Sequence, residues 1–177
     1  MTGLYFWPAE ERQTRLLKEL ERYTGHPCTV LREKYGKPYA KEGGVFFNLS
    51  TSGGLCVAAI GNTPIGVDTQ LISGGDFKKK YSQVLNAFCA EELEEIENER
   101  DFMAHWTARE AYAKLRGDGI WRYVRRLKFV RGTLFSDGEP TEEQPVFCHE
   151  CGAVTALCAT DTRFKIKEII QSNTDAF

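Results

Sequence analysis

The spacing of an acid and a lysine points to a possible reactive pair on one helix. Glu110 and Lys114 are four residues apart in a stretch, residues 106–114, that is rich in alanine and long side chains and has no proline. This composition favours a helix, on which residues four apart are neighbours, and Gly117 is suited to end it. By spacing alone, the simpler interpretation is a solvated ion pair on the helix surface.

Asp68 is a second candidate acid, well upstream of that helix. It is the only acidic residue in the segment from Pro64 to Gln70, which is predicted to be a strand. Acids are uncommon inside apolar strands unless a charged partner stabilises them. An acid at such a position can also cap a turn, and Asp68 considered alone leaves both interpretations open.

The elements that must position these residues are predicted to come in blocks. A short strand at 4–7 precedes an amphipathic helix at 9–23, in which leucines recur among charged residues. A small-residue loop is predicted at 50–54. The other predicted strands are 45–49, 55–60, 64–70, 127–135, 146–148, 153–160 and 164–170, and the other predicted helices are 77–88, 91–99 and 102–116. Because strands and helices are grouped and do not strictly alternate, we expect an α+β fold.

Charge and composition argue against several classes of protein. A net charge of −2 over 177 residues argues against general nucleic-acid binding, no apolar run is long enough to span a membrane, and the N-terminus has no signal-peptide pattern. We therefore expect a cytoplasmic protein whose six cysteines are reduced. The glutamates at 91–99 and the basic residues at 109–131 can each be a solvated face. The basic run can alternatively be a binding surface for phosphates or for an acidic protein.

Cys148 and Cys151 have a CxxC spacing that suits zinc or redox chemistry. A structural zinc site needs four ligands, and no second pair lies nearby at the usual spacing. We therefore expect buried or neutral thiols at these positions.

The two candidate stretches together resemble the paired signature of the Sfp-type 4′-phosphopantetheinyl transferases. That family has a Gly-Val-Asp-x-Glu strand and a Trp-Thr-x-Lys-Glu-Ala-x-x-Lys helix. Here the strand reads Gly-Val-Asp-Thr-Gln at 66–70, and the helix reads Trp-Thr-Ala-Arg-Glu-Ala-Tyr-Ala-Lys at 106–114. Weaker landmarks follow in family order: a Tyr-Gly-Lys-Pro turn at 35–38, Phe-Asn-Leu-Ser-Thr-Ser at 47–52, Phe-Cys-Ala-Glu-Glu-Leu at 88–93, and a late strand at 154–159.

The resemblance implies an enzyme that moves the 4′-phosphopantetheine arm of coenzyme A to a serine of an apo acyl, polyketide or peptidyl carrier protein, releasing 3′,5′-ADP. It implies Mg²⁺ as cofactor, a hard ion that suits carboxylate and phosphate oxygens. It also implies a 4′-phosphopantetheinyl transferase-like fold of two pseudo-symmetric lobes, 1–62 and 63–177, with the site between them. The second lobe would carry the metal site and the signature helix, and the chain would act as a monomer.

The resemblance also assigns roles within the metal site. Asp68 and Glu110 are expected to bind Mg²⁺ across the diphosphate of coenzyme A, with Glu110 also acting as base, directly or through a metal-bound water. Lys114 is expected to neutralise or protonate the leaving phosphate. The family's usual second strand acid is Gln70 here. Its amide is expected to face the ion and to hydrogen-bond a metal-bound water.

Further positions are expected to contact coenzyme A by the same resemblance. The residues expected to bind it are Lys37, Ser50, Thr51, Arg109, Lys114 and Arg15. For Ser50, the hydroxyl and the backbone of the predicted loop would donate to a phosphate oxygen. Thr51 stands where the family has a histidine, so it keeps a hydroxyl donor but no positive charge. The 3′-phosphate would meet either Arg12 or Arg15.

Two other functions stay open, the first because of the departures at Gln70 and Thr51. One is a non-catalytic member that binds coenzyme A or a carrier protein without turnover. The other is an interaction protein whose acidic and basic helices dock partners. Transfer to an apo-carrier distinguishes the enzyme from the first, and coenzyme A binding distinguishes it from the second.

Overall fold

The computed structural model describes residues 1–117, 119–123 and 125–170. The strands are β1 Thr2–Pro8, β2 Val30–Arg32, β3 Pro38–Ala40, β4 Phe46–Ser52, β5 Leu55–Gly61, β6 Ile65–Leu71, β7 Leu127–Val130, β8 Thr133–Ser136, β9 Glu139–Pro140, β10 Val146–Cys148, β11 Ala153–Ala159 and β12 Phe164–Ile169. The helices are α1 Arg12–Thr24, which follows a 3-10 turn at Ala9–Glu11, α2 Phe77–Lys80, α3 Ser82–Leu85, α4 Ala90–Glu95, α5 Glu99–Arg116 and α6 Ile120–Tyr123. These grouped strands and helices confirm the α+β class.

Two sheets pack face to face between the two long helices. The first sheet has the strand order β12-β1-β5-β4 and the second has the order β10-β11-β6. Side chains alternate along β5. Cys56 and Ala58 therefore pack with α1, while Val57 and Ala59 pack against the second sheet. The order of layers is α1, first sheet, second sheet and α5, and this order places α5 directly on β6.

The two ends of the chain meet in the first sheet. Strand β12 pairs in parallel with β1, from Thr2 opposite Phe164 to Phe6 opposite Ile169. The predicted lobe boundary at residue 62 counts β12 with the second lobe, whereas its hydrogen bonds place it in the first sheet. Residues 171–177 of the predicted second lobe lie outside the described residues. Across the described ranges, no helix is both long and apolar enough to cross a bilayer.

The predicted loop at residues 50–54 is instead mostly strand. Strand β4 continues to Ser52 and pairs with β5 along its whole length, from Phe46 opposite Gly61 to Ser52 opposite Leu55. Only Gly53 and Gly54 form the turn, and Gly53 has a φ of +56°, which favours glycine. The small polar residues suggested a loop, but pairing with an apolar neighbouring strand overrode that local preference.

Side chains, and not a backbone ladder, join the edges of the two sheets. Asn48 Oδ1 accepts from the Val67 N–H at 2.9 Å, and Ser52 Oγ accepts from the Leu71 N–H at 3.0 Å. Between them, Ser50 Oγ donates to Asp68. We call this row of β4 side chains, Asn48, Ser50 and Ser52, the β4–β6 seam. It ties the first sheet to the strand that carries Asp68.

Helix α5 approaches β6 closely because residue 66 is a glycine. A Cβ atom at Gly66 would lie 1.9 Å from the Ala111 carbonyl oxygen and 2.5 Å from the Leu115 nitrogen. The helix begins with a capping box, in which Asn98 and Asp101 exchange side-chain and backbone hydrogen bonds, and it ends at Gly117 with a φ of +80°. The predicted end is confirmed, and the helix starts at Glu99, earlier than predicted.

Three other predicted boundaries were wrong. The predicted helix 77–88 is divided into α2 and α3 at Tyr81, and the predicted helix 91–99 ends at Glu95. The predicted strand 127–135 is a hairpin, because the backbone turns at Arg131 and Gly132, both with positive φ. In each case periodicity extended the element past a local turn that only the backbone angles reveal.

Candidate active site

Asp68 lies at the centre of the candidate site, with 1% of its surface exposed. Its Oδ1 atom accepts hydrogen bonds from Lys114 Nζ at 2.6 Å and from Ser50 Oγ at 2.7 Å. Lys114 Nζ also donates to Ser50 Oγ at 3.0 Å, which closes a triangle of three side chains. The buried acid therefore has the charged partner that such a position requires.

Glu110 contributes a second carboxylate, one helical turn before Lys114. Burial and the negative charge of Asp68 raise the pKa of Glu110 to about 7, while the positive charge of Lys114 acts in the opposite direction. Repulsion of this kind arises when two carboxylates share a site. The structure thus places the acids of the strand and the helix together with the lysine.

We expect the metal-free protein to lose stability as the pH rises towards 7 because of Glu110. Its pKa is raised from the ordinary 4.5 to about 7 in the folded protein, so between these values the folded state holds a proton that the unfolded state has released. Unfolding in urea with a chelator at pH 5, 6, 7 and 8 measures this effect. The Glu110→Gln variant should gain stability relative to the wild type as pH increases, and parallel curves for the two proteins would contradict this assignment.

Gln70 lies on the same side of β6 as Asp68. Its Nε2 atom donates to Asp68 Oδ2 at 3.4 Å, and its Oε1 atom accepts from Ser52 Oγ at 3.3 Å. The amide therefore contacts the carboxylate itself, on the oxygen that neither Lys114 nor Ser50 contacts. A hydrogen bond from Gln70 to a metal-bound water stays a prediction.

The site cluster comprises Asp68, Ser50, Gln70, Glu110 and Lys114. A cavity of about 200 Å³ lies beside this cluster. Lys37 and Lys114 both line it, as does Asn48 of the β4–β6 seam. Lys37 Nζ donates to the Leu115 carbonyl oxygen at 2.8 Å, and burial lowers the pKa of Lys37. A second cavity of about 380 Å³ shares Lys37 and Pro38 with the first. The turn at 35–38 and the signature helix thus line the first cavity together.

Arg109 lies away from this cluster. Its side chain is completely buried, pairs with Glu92 at 2.5 Å, and has its guanidinium carbon 4.1 Å from the centre of the Phe88 ring. Adjacent residues on a helix point about 100° apart, so Arg109 faces α4 while Glu110 faces the site. This placement does not support the expected contact between Arg109 and a phosphate. The Arg109–Glu92 ion pair instead joins α5 to α4.

Thr51 and Arg15 also lie outside the cluster. Thr51 is exposed and points to the side of β4 opposite Ser50, because side chains alternate along a strand. Its position in β4 also means that the backbone at 50–52 pairs with β5, so it is not the free phosphate-binding loop that was expected. Arg15 pairs with Glu11 and lies 3.8 Å from Glu168, on the far edge strand of the first sheet.

Arg12, the other arginine that the sequence left open, donates from Nη1 to the Ala9 carbonyl oxygen at 2.9 Å. Burial raises the pKa of the Cys56 thiol to about 11, and the positive charges of Arg12 and Lys114 both oppose that increase. The two charges therefore act on one buried thiol in β5. The contact of Arg12 or Arg15 with the 3′-phosphate stays a prediction.

The sequence interpretation missed the positions of Asn48 and Ser52 in the site. Both belong to the β4–β6 seam, and Ser52 holds Gln70. The polar residues at 48, 50 and 52 recur every second residue between Phe47, Leu49 and the exposed Thr51. This period of two indicates one face of a strand, and interpreting 50–54 as a loop concealed it.

The donor atoms of the cluster fit a hard divalent ion. Asp68 and Glu110 offer carboxylate oxygens, and Mg²⁺ is commonly held by one or two carboxylates with substrate phosphates completing its shell. Over the described part of the chain, no group of three or more His, Cys, Asp or Glu side chains is arranged to hold a metal.

At the CxxC pair, burial raises the pKa of Cys148 to about 11, which keeps that thiol neutral.

Two carboxylates beside a lysine-lined cavity can stabilise the charge of a phosphoryl group, the lysines directly and the carboxylates through a metal ion. A sequence model described as the 4′-phosphopantetheinyl transferase superfamily matches residues 64–165. Because this match spans more than half of the chain, the chain belongs to that superfamily, and its enzyme class is 4′-phosphopantetheinyl transferase.

Two curated relatives are consistent with this family. The 4′-phosphopantetheinyl transferase psf-1 of Bacillus pumilus is 29% identical over 172 residues, which cover 89% of this chain and 70% of that protein. The 4′-phosphopantetheinyl transferase gsp of Aneurinibacillus migulanus is 29% identical over 92 residues, which cover 51% of this chain and 38% of that protein. The first alignment thus extends well beyond the two signature stretches.

Proposed function

We propose that this chain transfers the 4′-phosphopantetheine arm of coenzyme A to a serine of an apo acyl, polyketide or peptidyl carrier protein, with 3′,5′-ADP as the other product. The observation that carries the proposal is the 2.6 Å contact between Asp68 of the signature strand and Lys114 of the signature helix. It supports one working site assembled from both motifs. We further propose that the chain works as a monomer in the cytoplasm.

The side chains of the cluster suit the proton and charge changes of this reaction. The serine oxygen forms a bond to the phosphorus that carries pantetheine, and the bond from that phosphorus to the oxygen of 3′,5′-ADP breaks. Glu110 accepts the serine proton directly or through a water. Lys114 neutralises the charge that develops on the leaving phosphate.

Asp68 and Glu110 would hold Mg²⁺ in this proposal. When bound, the ion neutralises phosphate charge and polarises the phosphoryl oxygens. Lys114 and Ser50 hold the Asp68 carboxylate in place through its Oδ1 atom. Gly66 allows α5 to bring Glu110 within reach of the strand.

The remaining contacts with coenzyme A are assigned to residues near the two cavities. Lys37 lines both cavities and supplies a positive charge next to Lys114. We propose that one of the two α1 arginines, Arg12 or Arg15, meets the 3′-phosphate. We also propose that the two sheets with their helices form two pseudo-symmetric lobes, with the substrate between them at the β4–β6 seam.

Mass spectrometry of carrier proteins tests the proposed function. The protein is incubated with coenzyme A, Mg²⁺ and a panel of apo-carriers of the acyl, polyketide and peptidyl types, and a control omits Mg²⁺. The expected result is a mass increase of one phosphopantetheine on at least one carrier and only with Mg²⁺. Coenzyme A binding without transfer to any carrier would indicate a non-catalytic binder, and no coenzyme A binding would indicate an interaction protein.

Lys114→Ala is expected to lower the transfer rate at saturating coenzyme A by about 10²–10³, the usual effect of losing one group that stabilises transition-state charge. The variant also leaves the buried Asp68 without its charged partner, so its stability should fall as well. Rates are therefore measured at a temperature where circular dichroism shows the variant folded. Lys165→Ala, at an exposed lysine on β12, is the control. A folded Lys114→Ala protein with an unchanged rate would exclude the proposed role.

A further inference from the structure

Ser52 holds two groups of β6 at once. Its Oγ atom accepts from the Leu71 N–H at 3.0 Å and donates to Gln70 Oε1 at 3.3 Å. Ser52 is half-buried at the end of β4, and its hydroxyl is the last member of the β4–β6 seam. The serine therefore joins the strand backbone to the amide of Gln70.

This contact fixes which way the Gln70 amide points. With Oε1 bound to the serine hydroxyl, the Nε2 group faces Asp68 Oδ2 at 3.4 Å. A flipped amide would place two acceptors, Oε1 and Oδ2, against each other, and the Ser52 hydroxyl would have to turn from donor to acceptor. The observed orientation is the one in which Gln70 donates to Asp68 and accepts from Ser52.

The Asp68 carboxylate is consequently held on both of its oxygens. Lys114 and Ser50 hold Oδ1, and Gln70 holds Oδ2. A carboxylate oxygen has lone pairs for more than one partner, so the contact from Gln70 leaves Oδ2 able to accept another one. The Gln70 amide thus orients the Asp68 carboxylate and still leaves Oδ2 able to bind a cation.

We propose that Ser52 is a positioning residue which, through the amide of Gln70, orients Asp68 Oδ2 for a divalent cation. At residue 70, where the family has an acid, this chain thus uses hydrogen bonds that orient Asp68. Gln70 accordingly acts on Asp68 and is not itself a ligand of the ion. This inference rests on the proposed function, since it concerns the same site.

Ser52→Ala should weaken divalent-ion binding by about fivefold, the effect expected for one lost hydrogen bond. The turnover rate at saturating Mg²⁺ should stay within about twofold of the wild type, because no charge is removed. Ion binding is measured with Mn²⁺, which prefers similar oxygen ligands, by electron paramagnetic resonance of the free ion in the presence of coenzyme A. The same proteins are then assayed for transfer as a function of Mg²⁺ concentration.

Three further variants and one control test whether Ser52 acts through Gln70. Ser52→Thr keeps the hydroxyl and should restore wild-type binding. Gln70→Ala should show the same loss as Ser52→Ala, and the double variant should show no further loss, because the two residues act in series. Thr155→Val is the matched control, since it removes the 2.9 Å hydrogen bond to Thr69 between two neighbouring strands of the second sheet.

The outcomes separate this proposal from the proposed function. A wild type that binds Mn²⁺ and transfers, together with a Ser52→Ala protein of equal ion affinity, would overturn the positioning role alone. Additive losses in the double variant, or a lower melting temperature in Ser52→Ala without any change in ion affinity, would also overturn it, since both indicate a purely structural serine. A wild type that neither binds the ion nor transfers would overturn both.

Discussion

Replacing Glu110 by glutamine is expected to lower the transfer rate by about 10²–10⁴ without unfolding the protein, the range typical for loss of a general base. The amide keeps the shape of the side chain but loses its negative charge and its basicity. In the metal-free protein the substitution also removes the repulsion from Asp68 that contributes to raising the pKa of Glu110 to about 7. Stability above neutral pH should therefore be preserved or increased while the rate falls.

Single-turnover transfer to an apo-carrier, followed by mass spectrometry, measures this loss of rate. Glu94→Gln is the matched control, because Glu94 lies on α4, is exposed and is far from the cluster in sequence. It should transfer at the wild-type rate. Near-wild-type transfer by a folded Glu110→Gln protein would show that the base lies elsewhere.

Gly66→Ala is expected to be among the most damaging single-methyl changes in the chain. The added Cβ atom would lie 1.9 Å from the Ala111 carbonyl oxygen and 2.5 Å from the Leu115 nitrogen, and both are backbone atoms that cannot rotate away. Either α5 moves off β6 or the strand bends. Overpacking of this kind typically costs about 1–3 kcal/mol, and more where only backbone can move.

The same shift should separate Glu110 and Lys114 from Asp68, so activity should fall by more than stability alone explains. Urea unfolding and transfer kinetics at a temperature where the variant is folded give the two quantities. Gly54→Ala is the control, because no atom lies within 4 Å of its Cβ position and its φ is not in the left-handed region. Equal stability and equal activity for the two variants would show that the close contact at Gly66 is not required.

The sequence by itself determined the main elements and the principal acids and lysine. Periodicity in apolar residues is a local property, so the α1 helix and the alternating strands follow from it. The alanine-rich composition of 106–114 is equally local and predicted α5. The strand acid Asp68, together with the Glu110 and Lys114 spacing, identified the residues that the structure brings together. Gly117 predicted the end of α5 in the same local way, whereas the start of α5 after the Asn98 cap was not predicted.

Other features depend on contacts between residues distant in sequence, and only the tertiary structure decided these. Arg109 and Glu110 are adjacent in the motif, yet one is buried against Glu92 and the other faces Asp68, because α5 is covered on several sides. Ser50 and Ser52 are small polar residues of the kind that is common in loops. Pairing of β4 with β5 and hydrogen bonds to β6 nevertheless place them in the β4–β6 seam. A side chain's role is set by its partners across space, which local sequence does not specify.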